Sequence, residues 1–201
     1  MVNETSFNPR SPLQYFGHAL MWITGWRLEG SLPEQEKYVL IFAPHTSNWD
    51  FPFAFTASRS IPMGFPHWAG KHTLFKGPFG LFLRSVGGIP VNRENPARFM
   101  RQILDEFESR DKFILGLAPE GTRRKTKYWK SGFYKIALAA KVPIVMTYLD
   151  YREKVGCMSK PFMPTGDVHA DMETVRSFYA PAMGKYPQRM GDVRLRARDQ
   201  A

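Results

Sequence analysis

One stretch decides the fold, and it reads Tyr38-Val39-Leu40-Ile41-Phe42-Ala43-Pro44-His45-Thr46-Ser47-Asn48-Trp49-Asp50. The unbroken apolar run 38–43 predicts a strand that is covered on both faces, because a half-exposed strand would alternate with polar residues. Asp50, followed by Pro52, predicts the start of a helix with Asp50 as its N-cap. The intervening turn would then bring the side chains of His45 and Asp50 together.

Further segments continue this alternation of strands and helices along the chain. An apolar stripe of period 3.6 predicts a helix over residues 96–110, and a second helix is expected over 133–140. The remaining apolar runs predict strands at 65–69, 89–91, 112–117 and 142–151. We therefore expect an α/β fold: one layered domain over residues 1–201, with a mostly parallel central sheet flanked by helices. In such folds ligands bind at the carboxyl ends of the strands.

Composition limits the classes of protein that remain. The chain is 43% hydrophobic and 14% aromatic, which excludes a disordered polymer. Its single cysteine, Cys157, precludes an internal disulfide, and the chain shows neither a secretory signal nor about 20 consecutive apolar residues. We expect a cytoplasmic protein. The net charge of +10 favours an anionic partner, whether nucleic acid, acidic lipid or a phosphorylated substrate.

An aromatic-rich helix is predicted near the N-terminus, over residues 12–27. One side carries Leu13, Phe16, Leu20 and Ile23 at helical spacing, whereas Trp22 and Trp26 fall on another side. Two interpretations remain open here. The helix packs on the core, or it lies in a membrane interface, where tryptophan is favoured.

The pair His45 and Asp50 has the chemistry of a general base and its orienting group. A histidine is largely neutral near pH 7 and can accept a proton, and a neighbouring carboxylate fixes its tautomer. Ser47 is a conceivable nucleophile, but it lacks the surrounding glycines of a serine-hydrolase elbow. A substrate hydroxyl is the better candidate.

A second string, Pro119-Glu120-Gly121-Thr122-Arg123, has the residues of an anion cradle. Glycine allows close approach to the backbone, threonine supplies a hydroxyl and arginine a fork of donors suited to phosphate. Positive charge continues to Lys130 and is interrupted by Tyr128 and Trp129. This run is a solvated face, or it contacts anionic headgroups or a nucleotide. Arg93, after the strand at 89–91, and Lys71 are further candidate cations.

In order and content these strings resemble the glycerolipid acyltransferases, typified by 1-acylglycerol-3-phosphate acyltransferase, over residues 37–150. The family's first block is matched by His45, Ser47 and Asp50, and its third, Pro-Glu-Gly-Thr-Arg, is identical at residues 119–123. The second block corresponds to Gly88, Ile89, Val91 and Arg93, and the fourth to Val142, Pro143, Ile144 and Val145. Pro44 stands where the family has asparagine, and Met146 where it has proline.

The resemblance implies acyl transfer from a thioester, either acyl-CoA or acyl-carrier protein, to the hydroxyl of a lysophospholipid-type acceptor at a peripheral membrane surface. His45 would take the hydroxyl proton and Asp50 would orient it. The implied substrate-binding residues are Arg93, Glu120, Gly121, Thr122 and Arg123, to which we add Lys71 and Ser47. No metal or prosthetic group is implied, and no nucleic-acid partner is expected. A catalytically silent module that binds anionic lipid, and an acyltransferase for a different lipid acceptor, remain as alternatives.

Overall fold

Strand β2 (Lys37–Phe42) runs through the interior of a seven-stranded sheet, which confirms the prediction from the apolar run. Val39 and Ile41 face one hydrophobic cluster, whereas Tyr38 and Leu40 face another. All four side chains are buried, which explains why the run lacks polar alternation. The structure, a computed structural model, describes residues 11–63, 66–92 and 95–196.

The sheet has the strand order β1-β7-β6-β2-β5-β3-β4. Its other strands are β1 (Arg27–Gly30), β3 (His67–Lys71), β4 (Gly88–Val91), β5 (Phe113–Leu117), β6 (Ile144–Asp150) and β7 (Val155–Met158). The pairing of β6 with β7 is antiparallel, and the other pairings are parallel. The predicted α/β class with a mostly parallel sheet is confirmed.

Helices cover both faces of the sheet. The helices are α1 (Pro12–Ile23), α2 (Asp50–Ser60), α3 (Gly77–Ser85), α4 (Pro96–Ser109), α5 (Gly132–Ala140) and α6 (Val168–Tyr179), with short 3₁₀ turns at His72–Phe75 and Pro187–Arg189. Helices α4, α5 and α6 bury their apolar residues in the main core. On the opposite face, α1 and α2 contribute Met21, Phe53 and Ala57 to a smaller cluster.

Of the two interpretations of α1, core packing through its apolar stripe is not observed. The stripe of Leu13, Phe16, Leu20 and Ile23 does not enter the core, because these side chains are exposed. Instead α1 packs on α2 through its buried residues Gly17 and Met21. Gly17 permits the approach, since a Cβ added there would lie 2.9 Å from the backbone nitrogen of Ser60.

The chain after Tyr151, which has no interpretable sequence motif, forms β7, α6 and an ordered return to the sheet. The tail from Gly184 is basic and poorly patterned, and we would expect it to be mobile near its end. That end, residues 197–201, lies outside the described residues, so the expectation stays a prediction. Residues 183–189 pack against the turn that follows β2. Among the described residues, no helix is both long enough and apolar enough to cross a membrane.

Candidate active site

The site lies where four neighbouring strands end. His45 follows β2, Glu120 follows β5, Lys71 ends β3 and Tyr151 follows β6. These strands are parallel and adjacent in the order β6-β2-β5-β3, so their carboxyl ends share one edge of the sheet. The predicted clustering at this edge is therefore observed for the two motif strings.

The imidazole of His45 is hydrogen-bonded to the carboxylate of Asp50. His45 Nδ1 lies 2.9 Å from Asp50 Oδ2. A carboxylate oxygen can only accept, so Nδ1 carries the proton and Nε2 has a lone pair for a substrate. Asp50 is 1% exposed, whereas the imidazole of His45 retains 21% of its exposure. A buried carboxylate therefore holds a partly exposed imidazole.

Asp50 does not cap its own helix, contrary to the sequence prediction. Helix α2 begins at Asp50, and the carboxylate turns back toward the preceding turn. Its Oδ2 accepts hydrogen bonds from the backbone N–H groups of Thr46 and Ser47, each at 3.0 Å. Its Oδ1 accepts from the hydroxyl of Tyr151 at 2.8 Å. These donors satisfy a buried charge and fix its position.

Glu120 connects the two motif strings. Its Oε2 accepts a hydrogen bond from the backbone N–H of His45 at 2.6 Å, and its side chain is buried. Burial raises the pKa of Glu120 to about 7, against the opposing effect of the His45 hydrogen bond. The structure thus places the predicted acceptor-binding carboxylate on the backbone of the predicted base.

A basic cavity of about 620 Å³ opens beside His45. Three predicted binding residues, Gly121, Thr122 and Arg123, line it together with Lys71. Its remaining lining residues are Leu74, Arg124 and Arg189. Gly121 has φ +64, in the region that favours glycine. Within residues 11–63, 66–92 and 95–196, no carboxylate forms an ion pair with the cationic side chains of this cavity, which are Lys71, Arg123, Arg124 and Arg189.

An apolar cavity of about 230 Å³ reaches His45 from the other side, between the sheet and α2. Leu40 and Phe42 of β2 lie along its floor, and Ala54 and Ala57 of α2 cover it. It continues across the sheet to residues of β6, β7 and β1: Thr147, Tyr148, Leu149, Gly156, Cys157, Met158, Leu28 and Glu29. His45 therefore stands where an apolar cavity and a basic cavity meet.

The other predicted site residues have different positions. Ser47 is buried, and its Oγ accepts a hydrogen bond from the N–H of Trp49, so its side chain shapes the turn. Arg93 lies outside the described residues. Trp129 is buried against Phe133 and Tyr179, so it is not available to stack on a nucleotide base.

Sequence reasoning missed Tyr151 and Arg189. No motif marks Tyr151, and Arg189 is one of several basic residues in a poorly patterned tail. Tyr151 is the last residue of the strand predicted over 142–151, whose observed counterpart β6 neighbours β2, and this placement was the one available signal. Arg189 reaches the cavity only because α6 returns the chain to the sheet.

These features agree with comparisons to known proteins. The acyltransferase family model matches residues 27–149, and the chain belongs to this family. A 1-acyl-sn-glycerol-3-phosphate acyltransferase of Streptococcus pneumoniae is 29% identical over 131 residues, which is 64% of this chain and 48% of that protein. The chain thus spans about half the length of this relative.

The fold also has a counterpart among solved structures. The crystal structure of the 1-acyl-sn-glycerophosphate acyltransferase PlsC from Thermotoga maritima is similar, with a TM-score of 0.53 and 17% sequence identity. The similarity covers 84% of this chain and 74% of that one. At this identity the similarity establishes the fold alone.

Proposed function

We propose that the protein transfers a fatty acyl group from a thioester to a hydroxyl of a lysophospholipid-type acceptor, 1-acylglycerol 3-phosphate in the first instance, in phospholipid biosynthesis. One observation carries the proposal: the accessible imidazole of His45 lies at the meeting point of an apolar and a basic cavity. Such a junction suits a reaction between an acyl chain and an anionic alcohol. The names of the relatives described above point to the same substrate class.

In the proposed reaction His45 Nε2 removes the proton of the acceptor hydroxyl. The acceptor oxygen attacks the thioester carbonyl, an ester bond forms and the carbon–sulfur bond breaks. The proton passes from the imidazolium to the departing sulfur, so charge and atoms balance. Asp50 stabilises the imidazolium through its 2.9 Å hydrogen bond to Nδ1. The scheme uses no metal or prosthetic group, so a chelator should leave the rate unchanged.

The two cavities divide the substrates between them. The apolar cavity offers a hydrocarbon chain the burial that makes its transfer from water favourable. Lys71, Arg123 and the backbone at Gly121 face the basic cavity and suit a phosphate group. Acyl-CoA and acyl-carrier protein both remain candidate donors. Glu120 and Ser47 are assigned to holding the His45 turn rather than to touching substrate.

We further propose that the protein works on the cytoplasmic face of a membrane. Helix α1 exposes Phe16, Trp22 and Ile23, and Trp22 retains 82% of its accessible surface. Helix α3 exposes Phe79 and Phe82. Exposed aromatic residues beside a net positive charge favour the interface of an anionic bilayer.

An acceptor screen tests the proposed activity. Purified protein is incubated with a labelled long-chain thioester, delivered as acyl-CoA or on a carrier protein, and with a panel of lysophospholipids and neutral lipid alcohols. We expect thiol release that depends on an added acceptor and gives a labelled ester. Binding of lipids without thioester consumption for any donor–acceptor pair would instead support a silent lipid-binding module.

Membrane attachment needs a separate measurement. Sedimentation with phosphatidylglycerol vesicles should recover the wild-type protein, and Trp22→Ser with Phe79→Ser should release it. Met163→Ser is the matched control, because Met163 is also an exposed apolar residue but belongs to neither helix. Equal binding by all three proteins would refute a docking role for α1 and α3.

A further inference from the structure

A segment far along the chain is bound to the turn that follows β2, residues 43–49, which carries His45 and is called the catalytic turn because of the proposed function. In this segment, residues 183–189, the backbone N–H of Met183 donates to Asp150 Oδ2 at 3.2 Å, and its carbonyl accepts from the N–H of Tyr151 at 2.9 Å. The N–H of Tyr186 donates to the hydroxyl of Thr46 at 3.2 Å. Thr46 follows His45 directly, so the segment is anchored on the turn that holds the base.

Arg189 ends this segment and brings its guanidinium to the basic cavity. Its Nη1 donates to the carbonyl of Thr46 at 3.2 Å, and its guanidinium carbon lies 4.4 Å from the ring centre of Tyr186. A guanidinium has five N–H donors. Within the described part of the chain, these donors have one protein acceptor, the carbonyl of Thr46. The stacking and the single hydrogen bond orient Arg189 and leave donors for a ligand.

We propose that Arg189 is an acceptor-binding residue that contacts the phosphate of the substrate, an inference that rests on the proposed function. Lys71 from β3, Arg123 and Arg124 after β5, and Arg189 from the last 3₁₀ turn line one cavity, so three separate parts of the chain supply its positive charge. A phosphate monoester carries between one and two negative charges at neutral pH and has several acceptor oxygens. The cavity therefore fits an acceptor that ends in a phosphate monoester better than a neutral lipid alcohol.

The position of Arg189 also links phosphate binding to the placement of the acceptor beside His45. Arg189 is hydrogen-bonded to the backbone of Thr46, the residue that follows His45. A phosphate bound by Arg189 would therefore be held at a fixed position relative to the imidazole. A neutral acceptor would gain nothing from the guanidinium. Arg189 should therefore favour phosphate-bearing acceptors over neutral ones, mainly by raising their binding affinity.

Equilibrium binding of short-chain acceptors tests this without requiring turnover. The probes are 1-hexanoylglycerol 3-phosphate and 1-hexanoylglycerol, titrated calorimetrically into wild type, Arg189→Ala, Arg189→Lys and Arg196→Ala. Arg196 is an exposed arginine of the same chain end and does not line the cavity, so it serves as the matched control. We expect Arg189→Ala to weaken the phosphate probe about tenfold or more, since a hydrogen bond to a charged group has that worth.

Arg189→Lys should recover part of the lost affinity for the phosphate probe, because lysine keeps the positive charge but not the bidentate donors of the guanidinium. The neutral probe should bind all four proteins alike, and Arg196→Ala should match wild type. Unchanged binding of the phosphate probe to Arg189→Ala would overturn the inference, as would an equal loss for both probes, which would mark a purely structural role. A wild-type protein that binds the phosphate probe but transfers no acyl group to any acceptor would instead count against the proposed function.

Discussion

The hydroxyl of Tyr151 donates a hydrogen bond to Asp50 Oδ1 across 2.8 Å, and it joins the end of β6 to the start of α2. Burial, and then the hydrogen bond to Asp50, raise the pKa of Tyr151 well above its ordinary value. The hydroxyl therefore stays protonated and remains a donor. With His45 on the other carboxylate oxygen, Asp50 is held from both sides.

Tyr151→Phe should lower kcat while leaving KM nearly unchanged. Loss of a hydrogen bond to a buried carboxylate costs about 1.5–3 kcal/mol, which corresponds to a tenfold or greater fall in rate if the bond positions the imidazole in the transition state. Steady-state acyl transfer with purified protein measures the effect. Tyr151 acts here as a positioning residue through Asp50.

Tyr134→Phe provides a matched control for this substitution. Tyr134 donates to Asp171 Oδ2 at 2.6 Å, which gives a second tyrosine–aspartate pair, between α5 and the start of α6. Both variants should unfold at a lower temperature, but Tyr134→Phe should retain the wild-type kcat. An equal fall in kcat for the two variants would show that Tyr151 contributes stability alone.

Glu120→Gln should remove a pH-dependent component of stability. The pKa of Glu120 is raised to about 7 in the folded protein, above the ordinary value of 4.5, so this group favours folding below pH 4.5 and loses that contribution as pH rises through 7. The span corresponds to roughly 3 kcal/mol at most. Glutamine keeps an acceptor for the His45 N–H. Denaturant unfolding at pH 4, 6 and 8 should show wild type losing stability relative to the variant, and parallel curves would argue against the raised pKa.

Gly184→Ala should disturb the contact between the 183–189 segment and the catalytic turn. A Cβ at Gly184 would lie 2.9 Å from both Oγ1 and Cγ2 of Thr46 and 3.1 Å from Cγ of Pro44, so a buried side chain must move. We expect a higher KM for the phosphate acceptor and a lower melting temperature.

Gly132→Ala is the control for this glycine substitution. Nothing lies within 4 Å of a Cβ there, and Gly132 is the first residue of α5. It should keep activity and gain up to about 1 kcal/mol of stability, because alanine favours helices. Full activity in Gly184→Ala would show that the segment tolerates displacement from the turn.

Ala57→Phe should shorten the acyl chains that the enzyme accepts. Ala57 lies on α2 over the apolar cavity, and a benzyl group there would occupy much of its 230 Å³. Relative kcat/KM for long against short thioesters should fall about tenfold, in line with overpacking costs of 1–3 kcal/mol. Ala170→Phe makes the same change on the exposed surface of α6 and should leave the ratio unchanged. An unaltered preference in Ala57→Phe would place the acyl chain elsewhere.

Local sequence patterns were sufficient to predict β2, α4 and the pair of His45 and Asp50. Each of these follows from neighbours within a few residues, such as the apolar run 38–43 or the five-residue spacing of the pair. The shared edge of the sheet followed from the general behaviour of parallel strands. The sequence thus predicted that His45 and Asp50 would lie together and that residues 121–123 would lie near them, whereas their catalytic and binding roles stay predictions.

Features that depend on distant contacts were not predictable in this way. β1 (Arg27–Gly30) and β7 (Val155–Met158) are four-residue strands, too short for a clear periodic signal, and they are held in the sheet by pairing of β1 with β7 and of β7 with β6. Periodicity alone left two interpretations of the stripe on α1 open, and the close approach at Gly17 turns another side of the helix toward α2. Arg189 reaches the site only because the chain after α6 returns to the edge of the sheet.

The central claim is that the imidazole of His45 removes the acceptor proton, and kcat of His45→Ala measures it most directly. Alanine keeps the backbone N–H that Glu120 accepts, so circular dichroism should report an intact fold. We predict a fall in kcat of about 10²–10⁴-fold, the usual contribution of a general base, with acceptor binding retained. Acyl transfer by a folded His45→Ala protein at the wild-type rate would contradict the account.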